Sequence, residues 1–133
     1  MPIEHINPSG LSKPTGYTHV VTAAVGRTVY ISGQVALNKR GEVVGEGDLA
    51  AQLRRVYENL KVALAAAGAT FGDVVKQTTF VVGFDPAKHR PIIGEVRSQY
   101  LAASNPPAST LVGVQSLANP TLLVEVEVVA VLD

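Results

Sequence analysis

Few side chains in this sequence are equipped for chemistry. Cysteine is absent, which excludes thiolate nucleophiles, disulfides and cysteine metal sites together. The imidazoles are His5, His19 and His89, far apart and without the spacing of a metal-ligand set, so each is expected to be solvated or hydrogen-bonded. Two carboxylates stand out: Glu125 and Glu127 lie two residues apart, hence on one face of a closing segment that is otherwise almost wholly apolar. The remaining charges, eleven basic against eleven acidic residues in all, cancel and form no stripe, which argues against a nucleic-acid partner.

The elements that must position these groups can be read from the pattern. At 133 residues one domain, 1–133, is expected. Residues 1–17, rich in Pro, Gly and Ser, read as an arm, and 18–24 and 28–37 read as strands joined into a hairpin by a turn at Val25-Gly26-Arg27. A glycine-rich loop over 38–47 leads to Asp48, placed as an N-cap. From there Leu49, Leu53, Val56, Leu60 and Leu64 recur at helical spacing until Gly68 ends the run. A third strand follows over 74–82. Pro91 argues that residues 86–90 form a turn and that a second helix begins at 91 and runs to about 103. Strands over 108–114 and 122–132 close the chain. The order ββαβαββ predicts an α/β (α+β) fold, a single sheet with both helices on one face.

The last strand predicts association. Leu122, Val124, Val126, Val128, Ala130 and Leu132 form one apolar row suited to lie under the helices. The other face carries Leu123, Glu125, Glu127, Val129 and Val131, joined from the third strand by either Phe80 and Val82 or Val75 and Val81. Two helices on one side leave that second face open, so other subunits are expected to cover it. The first residues lack the basic start and apolar stretch of a secretory signal, and no run is long enough for a membrane span, so a cytoplasmic protein without a membrane partner is expected.

Four stretches, in order, carry a resemblance: Pro14-Thr15-Gly16-Tyr17; Val29-Tyr30-Ile31-Ser32-Gly33-Gln34; Asn59-Leu60 with Ala66-Ala67-Gly68-Ala69 and Asp73-Val74-Val75-Lys76; and Pro107-Ala108 with Val124-Glu125-Val126-Glu127. Together they resemble the RidA (YjgF/YER057c) family, also called the endoribonuclease L-PSP family, over nearly the whole chain. The resemblance implies a chorismate-mutase-like fold and a homotrimer packed around a central barrel. It also implies a small-molecule ligand in each inter-subunit cleft, and hydrolysis of enamines and imines such as 2-aminoacrylate without metal or organic cofactor. It places Tyr17, Ser32, Gly33, Ser109, Thr110, Leu111 and Glu125 in the cleft. Each has a use there: Glu125 can pass a proton to or from water, Tyr17 can close the cleft and offer a phenolic hydrogen bond, and Gly33 permits close approach to the backbone or marks a bulge. Ser32 can bond a ligand or its own strand.

One departure changes the expected chemistry. The deaminase branch has an arginine after the Pro-Ala pair, where it holds the substrate carboxylate; here Ser109 follows Pro107-Ala108, without charge or reach. The family's asparagine in the second helix is replaced by Gly94. Arg27 and Arg97 are candidates for a substitute charge, but nothing in the sequence places either in the cleft, and solvated surface positions are expected for both. The expected function is therefore a hydrolase of an enamine, imine or related activated metabolite, different from a standard 2-aminoacrylate deaminase. A non-catalytic metabolite-binding protein on the same trimer is the alternative. A ribonuclease or translation inhibitor is disfavoured by zero net charge and the lack of a histidine pair.

Overall fold

The computed structural model describes residues 3–24 and 26–133. Among them, strands β1 (Ile3–Ile6), β2 (Val20–Ala23) and β3 (Arg27–Gln34) precede helix α1 (Leu49–Ala66). Strand β4 (Val74–Val82), helix α2 (Pro86–Ser98), and strands β5 (Ala108–Val114) and β6 (Val124–Leu132) follow. The main sheet has the order β3-β6-β4-β5, with β4 and β5 parallel and the other pairs antiparallel. The apolar row of β6 explains its central place, because a strand flanked on both sides can bury an unbroken row. Val124, Val126, Val128 and Ala130 are all buried beneath the helices, as the alternation predicts.

Helix α1 follows its sequence signals closely. The Asp48 carboxylate accepts a hydrogen bond from the Ala51 N–H at 3.1 Å and so caps the first turn. Gly68, at φ +79, lets the chain leave the last turn in the left-handed conformation. Leu53, Val56, Leu60 and Leu64 are buried against the sheet. Two polar residues on the same helix, Gln52 and Tyr57, are buried as well. Gln52 is satisfied through both ends of its amide, which donates to the Thr121 carbonyl at 2.9 Å and accepts from the Leu123 N–H at 2.8 Å. It thereby fixes the entry to β6.

Two expectations need correction, and a third, left open between two faces of the third strand, is decided. Residues 18–24 and 28–37 do not form a hairpin: β2 pairs with β1 in a separate two-stranded ribbon, while β3 pairs with β6. The reason is that the first residues, read as an arm, contain the alternating segment Ile3–Ile6, which supplies β2 with a partner. Val25, in the expected turn, lies outside the described residues. Second, α2 begins at Pro86, not Pro91, and ends at Ser98. Asp85 caps it by accepting from the Ala87 N–H at 3.1 Å, and Pro86 occupies the first turn, where a missing N–H is harmless. Pro91 deprives only the carbonyl of exposed Ala87 of its helical partner, and water can replace that bond. Third, a bulge between Val74 and Lys76 breaks the strict alternation of β4. It turns both Val74 and Gln77 inward, with Thr79 and Val81 continuing the buried row, and leaves Phe80 and Val82 on the open face.

That open face is more polar than the β6 pattern suggests. Lys76 donates to the Thr110 hydroxyl at 2.6 Å, and Thr78, Ser32 and Glu127 join Lys76 around a hollow of about 410 Å³. Tyr30, on the edge strand β3, is 80% exposed there, so among the described residues nothing covers that part of the face. Among the described residues no helix is long and apolar enough to cross a membrane.

Candidate functional site

A cavity of about 650 Å³ opens on the helix side between α2, the start of β5 and the segment around residues 15–17. Register decides which β5 side chains face it. Ser109 and Leu111 stand opposite Gln77 and Thr79 of β4, which point toward the helices, so Ser109 and Leu111 do too. Thr110 falls between them and faces the other way, where Lys76 holds it. The segment carrying Tyr17 is tied down by its neighbour: the Thr18 N–H donates to the Pro107 carbonyl at 3.1 Å, and its hydroxyl donates to the Pro106 carbonyl. Tyr17 thus stands at the cavity wall, its ring edge-on to His19 at 5.1 Å. At the far end, Phe84 packs down onto β5; a Cβ on Gly113 would lie 3.0 Å from the Phe84 Cβ, so glycine permits the approach.

The cavity also contains a group whose place the sequence does not reveal. Arg97, expected on the solvated surface, is half-buried in the wall, its Nη2 3.4 Å from the Ser109 hydroxyl and 3.5 Å from the Gly16 carbonyl. Both contacts are longer than a strong hydrogen bond, so the guanidinium is held in place and keeps donors free for a ligand. Beneath it, the buried Tyr57 hydroxyl donates to Gln77 Oε1 at 3.0 Å, and the Tyr57 ring stacks on Tyr100 at 5.2 Å. Burial pushes the Tyr57 phenol up to about 12, while the adjacent Arg97 charge and a hydrogen bond from Arg97 pull the other way. Gln77 Nε2 and Thr79 Oγ1 are buried and meet no protein partner among the described residues, in the strand directly beside Ser109 and Leu111. Buried polar groups left unpaired are rare, and each calls for a partner such as water or a ligand, or for a functional role. Arg27, the other candidate cation, instead donates to the Ala67 carbonyl at 2.8 Å at the end of α1.

Of the expected site residues, then, Tyr17, Ser109 and Leu111 line the cavity together. Ser32, Gly33, Thr110 and Glu125 do not line it. Ser32 and Thr110 belong to the open face. Gly33 sits in a bulge of β3 between Ile31 and Gln34. A Cβ built on Gly33 would overlap the Glu125 carboxylate, so the space that the missing side chain leaves is occupied by Glu125 itself. The two residues form one unit: the glycine lets the carboxylate lie against the β3 backbone. Glu127 is exposed on the same face. Two of the histidines have structural bonds: the His19 ring nitrogen donates to the Ser12 carbonyl at 2.7 Å, and His89 accepts from the Asp85 N–H at 2.9 Å. Arg97 could have been found from its spacing, four residues after the buried Ile93 and hence on the same side of α2. Gln77 gave no such signal, because the bulge before it hides its direction.

Comparison with known proteins adds to this geometry. The family described as Endoribonuclease L-PSP matches residues 10–132. The chain is 35% identical to the 3-aminoacrylate deaminase RutC of Acinetobacter baylyi, with 98% of each chain covered. It is 33% identical to a 2-iminobutanoate/2-iminopropanoate deaminase of Dermatophagoides farinae, over 82% of this chain and 81% of that one. Among solved structures, the Yersinia pestis protein YyfB, of the conserved Rid family and unknown function, superposes with a TM-score of 0.90. It is 44% identical, with 99% of this chain and 100% of that chain covered.

Proposed function

The chain belongs to the Endoribonuclease L-PSP family, the family of the Rid and YjgF proteins, and from that premise we propose that it hydrolyses a small imine or enamine whose acid group is held by Arg97. The observation that carries this reading is the Arg97 guanidinium, 3.4 Å from Ser109 inside a cavity of about 650 Å³. Both deaminase relatives are named for substrates that carry a carboxyl group. A carboxylate facing a guanidinium accepts two parallel N–H bonds, which fixes the plane of the attached C=N unit. Ser109 adds a hydroxyl beside that fork, and Tyr17 and Leu111 supply walls.

The reaction needs one water. Water adds to the imine carbon, a proton reaches the nitrogen, and the C–N bond breaks to release ammonia and leave a carbonyl. Glu125 is the residue proposed to move these protons. Within one chain it lies on the opposite side of the sheet from the cavity, so a cleft that unites it with Arg97 requires a second copy of the chain. The uncovered sheet face supports that association, and the homotrimer is the assembly proposed. An anchor on α2 in place of β5 moves the acid end of the substrate, which is why the preferred substrate is proposed to differ from 2-aminoacrylate.

Ammonia release from a panel of imino acids generated in situ by a coupling enzyme tests this reading. Turnover above the spontaneous rate, reduced by about ten- to a hundredfold in Arg97→Gln, is the expected result. Tight ligand binding with no acceleration of hydrolysis of any imine would replace the hydrolase by a metabolite-binding protein.

A further inference from the structure

We propose that the cavity takes a substrate with two acidic groups, one held by Arg97 with Ser109 and the second by Arg90; this rests on the reading of Arg97 given above. Arg90, Gly94 and Arg97 occupy positions i, i+4 and i+7 of α2 and so share one face of the helix, and all three line the same cavity. Two cations on one wall repel each other unless an anion lies between them. Among the described residues neither is paired with a carboxylate, the only ion pair being Arg40 with Glu42. The charge therefore awaits a partner from outside the chain.

Gly94 makes room for that partner. A Cβ at this position would meet nothing within 4 Å, so the space between the two arginines is open, where any larger residue would project a side chain into it. The helix face thus offers a half-buried guanidinium, a bare stretch of backbone surface and a second, exposed guanidinium in sequence. The two Cα positions are about 10 Å apart along the axis. Long flexible side chains that converge on one cavity can bring their charged ends to the span of a short dicarboxylate. A single small carboxylate such as pyruvate engages Arg97 alone. A diacid such as 2-oxoglutarate engages both, and its carbon chain lies over Gly94. Arg90 is accordingly a specificity-determining residue: it selects the length and second charge of the ligand without touching the reacting carbon.

Calorimetric titration of the native protein, Arg90→Gln and Arg97→Gln with pyruvate and with 2-oxoglutarate separates the possibilities. The native protein is expected to bind 2-oxoglutarate at least about tenfold more tightly than pyruvate, the ratio given by 1.4 kcal/mol. Arg90→Gln is expected to abolish that preference and leave pyruvate binding unchanged, whereas Arg97→Gln weakens both ligands. Pyruvate bound through Arg97 with no gain for the diacid, or a diacid preference that survives Arg90→Gln, overturns the second acid site and leaves the reading of Arg97 intact. Failure of both ligands to bind, or binding insensitive to Arg97→Gln, overturns both.

Discussion

Replacing Arg97 by glutamine removes a charge and keeps a side chain of similar reach, and the structure sets how much this should matter. In the free protein Arg97 makes two long contacts, at 3.4 Å to Ser109 and 3.5 Å to Gly16, besides its interaction with the buried Tyr57 hydroxyl, so only a modest part of the fold depends on it. Stability is therefore expected to change by less than about 1 kcal/mol. With substrate bound, the same guanidinium makes charge-assisted hydrogen bonds, worth roughly 1.5 to 3 kcal/mol. Each 1.4 kcal/mol is about a factor of ten, so kcat/KM for the best imino acid is expected to fall by about ten- to a hundredfold. Ser109→Ala removes only one neutral hydroxyl and should cost no more than about fivefold. Ammonia release under pseudo-first-order conditions gives both ratios, and thermal melts of the same preparations give the stability. A loss that appears in KM with kcat unchanged would mean that Arg97 serves binding in the ground state as well as in the transition state. If Arg97→Gln stays within twofold of the native protein while remaining folded, the acid group is held elsewhere and the assignment is refuted.

Three further outcomes are expected. Glu125→Gln abolishes turnover without altering assembly, while Glu127→Gln, whose carboxylate is exposed, changes it little; full activity in Glu125→Gln would make that residue structural. Gly33→Ala pushes the Glu125 carboxylate off the β3 backbone, and because the displaced atoms are the end of a flexible side chain, activity is expected to drop more than thermal stability. Melting curves taken across alkaline pH test the buried phenol. Tyr57 has a folded pKa of about 12 against 10.0 in the unfolded chain, so the stability linked to its proton is full below pH 10 and is lost as pH rises through about 12. The total is about 3 kcal/mol, and Tyr57→Phe is expected to flatten that slope.

The parts of the fold that the sequence makes legible are those where one local pattern meets no competition. Helix α1 has a cap, an apolar stripe and a terminal glycine that agree, and the row from Val124 to Ala130 can lie in only one way beneath helices. The errors arise where partners are chosen over distance. Whether Val20–Ala23 pairs with the strand after it or with the four residues near the start depends on contacts that no local pattern records. The bulge at Val74–Lys76 shifts the face of every later residue in β4, and a one-residue shift is invisible to a period-two count. For the site, the loss of an arginine at position 109 is plain in the sequence, but its compensation is not. Arg97 reaches Ser109 from another element, and the expected start of α2 at Pro91 hid the helix face that Arg90, Gly94 and Arg97 share.

The most direct test of the central claim is a crystal structure of the protein with a 2-oxo acid soaked into it, since such an acid mimics the product of imine hydrolysis. The expected density lies between α2 and β5, with the ligand carboxylate in two-pronged contact with the Arg97 guanidinium, one oxygen near the Ser109 hydroxyl, and Glu125 of a neighbouring copy facing the carbonyl carbon. A ligand seated in the hollow beside Tyr30 and Lys76, or one whose carboxylate makes no contact with Arg97, would contradict the account.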